Sequence, residues 1–95
     1  MKVSINFPTI ASIIEFEPFL GDDMEKYQEQ FDLWYKYNFE PYKGEQNKDG
    51  KYHKIFDENV VIDWIKEVAP ESNPKILIRN IKSEDVDPSL PGLYF

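Results

Sequence analysis

Hydrophobic and polar residues alternate strictly near the start of the chain, over residues 2–7 (KVSINF). Val3, Ile5 and Phe7 share one side and polar residues occupy the other, which predicts a half-buried β-strand. We expect Pro8 to end this strand, because proline cannot donate a hydrogen bond to a neighbouring strand.

The next stretch, residues 9–17 (TIASIIEFE), fits two different periods. Ile10, Ile13 and Ile14 have the spacing of one helical face, whereas Ile14 and Phe16 alternate with glutamates as they would in a strand. We interpret this stretch as a short helix, with the strand as the alternative.

A helical period continues over residues 23–39, where large apolar and aromatic side chains recur on one face. These residues are Met24, Tyr27, Phe31, Trp34 and Tyr35. Asp22 or Asp23 is expected to cap the N-terminus of this helix, since an aspartate oxygen can accept from free backbone N–H groups. Pro41 is expected to stop it.

A second helix is predicted over about residues 58–68, with Asp57 as its N-cap and Pro70 beyond its end. Its predicted buried stripe consists of Val61, Trp64, Ile65 and Val68. Trp34 of the first helix and Trp64 are expected to meet in or near the core.

The unbroken apolar run in KILIR predicts a strand covered on both faces over residues 75–81. We place it at the centre of a sheet beside residues 2–7, with a hairpin or irregular link around residues 44–55. The tail, residues 83–95, is too rich in apolar residues for a free segment, so part of it should dock. The predicted fold is a single α+β domain over residues 1–95, with a sheet of two to four strands packed against two helices.

The amino-acid composition limits the range of functions and partners to be expected. The chain has 95 residues and 18 acidic against 11 basic side chains, a net charge of −7. Because such a chain repels phosphate and anionic lipid, we expect no direct nucleic-acid binding and no membrane attachment, and a basic protein as partner. The chain has no cysteine and no apolar run of signal or membrane-spanning length, which favours a cytoplasmic location.

Little in the sequence suggests catalysis or a bound metal. The single histidine, His53, lies among lysines, and no serine lies in a nucleophile elbow. Residues 45–56 partly match an EF-hand loop at Asn47, Asp49 and Gly50, but Phe56 stands where a bidentate glutamate is needed. We therefore predict no enzymatic activity, no cofactor and no metal; an enzyme would have to use His53.

Half of the residues in the segment 31–42 (FDLWYKYNFEPY) are aromatic, and not all of them fit the buried stripe. Leu33, Tyr37 and Tyr42 fall outside it, next to acidic residues on and before the first helix. These side chains are either covered by a second layer, such as the tail, or form a partner-binding surface. The predicted surface comprises Asp22, Asp23, Glu25, Glu29, Asp32, Leu33, Tyr37, Glu40 and Tyr42.

Small size, acidity and aromatic excess together favour a binding protein. Ten lysines against one arginine and the frequent isoleucine indicate AT-rich coding, as in low-GC bacteria and their mobile elements, which favours a bacterial or phage origin. The leading hypothesis is an immunity protein or antitoxin that neutralises a basic toxin or nuclease. One alternative is an inhibitor from a phage or mobile element that mimics DNA with its carboxylates, such as an anti-restriction or anti-CRISPR protein. Another is a regulatory subunit that buries an apolar patch in an assembly.

Overall fold

Pairs of consecutive strands alternate with single α-helices along the chain. The computed structural model describes residues 1–38, 43–46, 52–54 and 57–95, with the strand residues 43–46 and 52–54 described by their backbone alone. In chain order the elements are β1 (Lys2–Asn6), β2 (Ile10–Glu15), α1 (Met24–Tyr37), β3 (Lys43–Gln46), β4 (Tyr52–Lys54), α2 (Glu58–Val68), β5 (Lys75–Lys82) and β6 (Gly92–Tyr94).

A four-stranded mixed sheet in the order β5-β2-β1-β6 forms one layer of the fold. β1 pairs with β2 and β2 pairs with β5 in antiparallel fashion, whereas β6 runs parallel to β1. β3 and β4 form a separate antiparallel pair, in the region where the sequence predicts a hairpin or irregular link. The predicted α+β class, with a small sheet and two helices, is confirmed.

The core lies between this sheet and the two helices. Val3, Ile5 and Ile14 from the sheet join Phe31 of α1 and Trp64 of α2 in one buried cluster. The ring of Phe31 lies 5.5 Å from that of Trp64, centroid to centroid, at 76°. Such tilted contacts between large rings supply much of the burial that a chain of this length needs.

Both helices begin at the predicted caps. The backbone N–H of Glu25 donates to Asp23 Oδ1 at 3.0 Å, and that of Asn59 donates to Asp57 Oδ1 at 2.9 Å. α2 has the predicted bounds, but Val68 at its last turn is 49% exposed and not buried as predicted. Among the described residues, neither α-helix is long and apolar enough to span a membrane.

The segment predicted as a short helix, residues 9–17, instead contains β2. Ala11, Ser12, Ile13 and Ile14 are all buried, so both faces of this strand are covered. Because apolar residues then occupy both faces, the strand loses its alternating pattern, and the isoleucines coincide with a helical spacing.

β5 lies at the edge of the sheet and not at its centre, and β2 occupies the central position predicted for residues 75–81. Its register against β2 shifts on either side of the pair Ile13–Ile78, and Asn80 has a left-handed φ of 57°. Leu77 is 40% exposed and Ile78 is 49% exposed, so the apolar run does not mark a strand covered on both faces. Two consecutive side chains of this run are thus exposed, which a regular strand with one covered face would not show, and the register shift beside Ile78 accounts for it.

The C-terminal segment returns to the sheet. β6 pairs with β1, and Leu93 opposite Ile5 is buried in the core. The ring of Phe95 lies 5.3 Å from Phe31 and 6.1 Å from Phe7, centroid to centroid. Residues 92–95 therefore add a strand and an aromatic side chain to the fold.

Candidate functional site

The inner face of α1 fixes the orientation of the helix. Tyr27 and Phe31 are fully buried. The hydroxyl of Tyr27 donates to the carbonyl of Gly21 at 2.6 Å and accepts from the backbone N–H of Leu20 at 3.0 Å. These bonds hold the segment that enters the helix and place Asp23 at its N-terminus.

The opposite side of α1 carries the predicted partner-binding residues. We define the α1 outer face as the helical residues Glu25, Glu29, Asp32, Leu33 and Tyr37, all of which are exposed. The predicted residues Asp22 and Asp23 are exposed as well and precede the helix. The remaining two, Glu40 and Tyr42, lie outside the described residues.

Carboxylates crowd the α1 outer face. Glu25 and Glu29 are four residues apart, and Asp32 follows three residues later, so their charges repel each other along one helix surface. Among the described residues, no lysine or arginine forms an ion pair with any of the three. Asp32 accepts one hydrogen bond, from the side-chain amide of Gln28 at 3.3 Å. The free protein thus presents a net negative charge here, because Lys26 and Lys36 are the two bases of α1 against these three carboxylates.

Two large side chains stand beside these carboxylates. Leu33 is 52% exposed and Tyr37 is 75% exposed, one helical turn apart. The ammonium of Lys36 lies 5.8 Å from the centroid of the Tyr37 ring. The tail does not form a second layer over Leu33 and Tyr37, which leaves them available as anchors for a partner.

The remaining aromatic residues of α1 belong to the core or to its margin. The indole N–H of Trp34 donates to Glu67 Oε2 at 2.7 Å, which joins α1 to α2. The Trp34 and Trp64 rings each pack against Phe31, with Trp64 in the core and Trp34 at its margin. Burial raises the pKa of the Tyr35 phenol above its ordinary value. Of the aromatic residues in the segment 31–37, Phe31, Trp34 and Tyr35 thus lie in the core or at its margin, whereas Tyr37 is exposed.

Sequence reasoning missed a groove between the helices and the segment that precedes α1. The groove has a volume of about 260 Å³, and Phe19, Leu20, Trp64 and Val68 supply its apolar lining. These residues come from separate parts of the chain, so no local motif marks them. The one lining residue that the sequence singles out is Val68, because its helical spacing predicts a buried side chain. In the structure Val68 is 49% exposed, at the open side of the groove.

A second cavity, of about 300 Å³, lies between β1 and residues 83–90. The side-chain amide of Asn6 donates to Ser4 Oγ at 2.9 Å and to the carbonyl of Leu93 at 3.1 Å. Hydrogen bonds from the backbone N–H and hydroxyl of Ser89 lower the pKa of Asp87 at its rim. These polar groups hold the tail in place, so the cavity is a weaker candidate for a ligand site than the groove.

That the chain has no enzymatic activity and binds no metal ion stays a prediction. Within the described part of the chain, no three histidine, cysteine or acidic side chains cluster so as to hold a metal ion. His53 belongs to β4, where the structure describes the backbone alone. Residues 45–56, which match an EF-hand loop only in part, lie largely outside the described residues.

Comparison with known proteins gives no family for this chain. No protein-family model matches it, and neither a curated protein nor a solved structure is significantly similar to it. The basis for a functional proposal is accordingly the geometry and charge of the α1 outer face.

Proposed function

We propose that this chain is a small, non-enzymatic, cytoplasmic protein that binds and neutralises a basic protein partner, as an immunity protein or antitoxin neutralises a toxin or nuclease. The α1 outer face would be the binding surface. The observation that carries the proposal is the row formed by Glu25, Glu29 and Asp32 beside the exposed Leu33 and Tyr37.

Electrostatic repulsion supports a basic partner. Over residues 22–37 the chain carries five carboxylates and two lysines. Like charges three or four residues apart destabilise a helix by about 0.2–0.5 kcal/mol per pair. Arginine or lysine side chains of a partner would remove this repulsion on binding, and the same field would speed the encounter.

The exposed apolar side chains favour a protein partner over mimicry of DNA. Leu33 and Tyr37 have no counterpart in a row of phosphates, whereas aromatic and aliphatic side chains often anchor protein–protein interfaces. The binding surface would then combine central anchors with a charged border, which is the usual arrangement at such interfaces.

The test compares two variants that remove the same charge from different places. The first carries Glu25→Gln, Glu29→Gln and Asp32→Asn on the α1 outer face. The matched control removes three exposed carboxylates elsewhere, through the substitutions Glu17→Gln, Glu84→Gln and Asp85→Asn. Basic proteins encoded beside the gene of this chain are purified and titrated with each form by calorimetry.

We expect 1:1 binding of one basic protein to the wild type, weakened by salt, with the control variant behaving like the wild type. Exposed ion pairs contribute about 0.2–1 kcal/mol each. Loss of three should therefore weaken binding by about threefold to a hundredfold in the outer-face variant. The wild type should also suppress the toxic or nuclease activity of that partner. Equal binding by all three forms, or binding without neutralisation, would contradict the proposal.

A further inference from the structure

The groove between α1, α2 and the segment before α1 has walls that are already held in place. The ring of Phe19 lies 5.6 Å from that of Trp64 and 5.2 Å from that of Tyr27, centroid to centroid. The backbone N–H of Leu20, another lining residue, is bonded to the hydroxyl of Tyr27. A partner that enters such a groove loses little free energy to ordering it.

We propose that this groove receives one aromatic side chain of the basic partner, and that an arginine or lysine next to that side chain pairs with Glu71 at the rim. The proposal rests on the proposed function, since it assigns a second contact to the same interface. It predicts that the partner presents an aromatic residue directly followed or preceded by a basic one.

The size and lining of the groove favour a single side chain. Its volume of about 260 Å³ falls below the roughly 300–1,000 Å³ of pockets that hold small-molecule ligands. Phe19 is partly exposed and Trp64 lies buried behind it, so an incoming ring would pack against Phe19 in offset or edge-to-face geometry. Val68, 49% exposed, leaves the groove open to solvent.

The charges around the groove select a basic neighbour for that ring. Glu71 lines the groove, and none of its described lining residues is a lysine or arginine. Within the described residues Glu71 forms no ion pair. A positive group beside the bound ring would therefore meet a carboxylate and no opposing charge.

The groove also adjoins the α1 outer face. Gln30 lines the groove, and Leu33 and Tyr37 follow it at three and seven residues, on the same flank of α1. One partner surface could then cover both the groove and the exposed side chains of the outer face. This shared flank is why we assign both contacts to one interface.

The test uses the dipeptide acetyl-Phe-Arg-amide, titrated into the isotopically labelled full chain and followed by NMR. We expect saturable shifts of the Trp64 indole N–H and of the Val68 and Glu71 amides. Acetyl-Phe-Glu-amide should bind at least about twofold more weakly, because its carboxylate would face Glu71. Glu71→Gln should remove that difference, and Val68→Arg, at an exposed position, should abolish the shifts.

Shifts elsewhere, or equal binding of both dipeptides, would overturn the groove assignment. The outer-face variant with Glu25→Gln, Glu29→Gln and Asp32→Asn should bind the dipeptide like the wild type. A natural partner that tolerates Val68→Arg but loses affinity for the outer-face variant would refute the groove while leaving the proposed function intact. A dipeptide that binds as expected, with no basic protein partner found, would refute the proposed function instead.

Discussion

Replacement of Gly92 by alanine tests whether β6 is held closely against β1. A Cβ atom at this position would lie 2.7 Å from Ser4 Oγ, 2.8 Å from Asn6 Nδ2 and 3.1 Å from the Tyr94 ring. The first two distances are too short for nonbonded carbon, so the strands or the two polar side chains must shift. Any shift of Asn6 weakens its hydrogen bonds to Ser4 and to the carbonyl of Leu93.

The expected cost follows from this crowding. Insertion of one methyl group into a packed core costs about 1–3 kcal/mol. The low end of this range is expected here, because the crowded atoms of Ser4 and Asn6 are side-chain ends beside the cavity. For a domain of this size each kcal/mol lowers the melting temperature by about 4–8 °C. Urea unfolding monitored by tryptophan fluorescence gives the free-energy change directly, provided that the transition is two-state.

A double-mutant cycle separates crowding from other effects of alanine. Asn6→Ala alone should cost about 0.5–1.5 kcal/mol for each hydrogen bond it removes. Because Asn6→Ala also removes one of the crowded atoms, Gly92→Ala should cost less in the Asn6→Ala background than in the wild type, by about 0.5 kcal/mol or more.

Gly21→Ala is the control: φ is +75° and no atom lies within 4 Å, so its cost comes from the backbone and should not depend on Asn6. Additive effects at Gly92 and Asn6, or a change at Gly92 below about 0.5 kcal/mol, would refute the close packing of β6.

Three further predictions concern other parts of the fold. Trp64→Ala should cost about 3–5 kcal/mol, measured by urea unfolding, because the side chain is buried; a loss below about 1 kcal/mol would mean that the core is misplaced. Arg79→Met should cost about 1–3 kcal/mol, since it leaves the buried carboxylate of Glu58, now 3.5 Å from the guanidinium, without its partner; unchanged stability would show that this pair contributes nothing. The pKa of Asp87 should lie below its usual value, so its contribution to stability is present above the unfolded-state pKa and lost as pH falls through the folded-state pKa. Ser89→Ala removes one of the two hydrogen bonds and should raise the pKa of Asp87 in an NMR titration, and an unchanged pKa would contradict the assigned cause.

Sequence periodicity identified the helices because each buries one face and exposes the other. The same reasoning interpreted the central strand β2 as a short helix and placed the edge strand β5 at the centre of the sheet. Residues 10–15 form a strand that is buried on both faces, so their sequence lacks the alternation of a half-buried strand. β5 has an unbroken apolar run, but its irregular register leaves part of this run exposed. Which strand becomes central depends on pairing partners far away in sequence, and an apolar run by itself does not encode it.

The same contrast between local and distant contacts applies to the candidate site. Leu33 and Tyr37 could be assigned to the surface from helical spacing alone, because the position of a side chain around a helix is a local property. The groove could not be predicted, since Phe19, Trp64 and Glu71 approach one another only after the chain has folded. A surface formed by one element is thus visible in the sequence, whereas a concave site formed by several elements is not.

The division of α1 into two faces has a consequence for experiments on function. Tyr27 and Phe31 contribute burial and therefore stability, whereas Glu25 and Glu29 repel each other and reduce it. Neutralising the outer face removes this repulsion but also the favourable interaction of Glu25 with the N-terminal end of the helix dipole, about 0.3–1 kcal/mol, so the net change in stability should be small. Urea unfolding of the variant checks this and separates a loss of binding from a loss of folded protein. Proteins commonly keep locally unfavourable surfaces where these serve a function. The mutual repulsion along α1 is thus consistent with the binding role proposed for it.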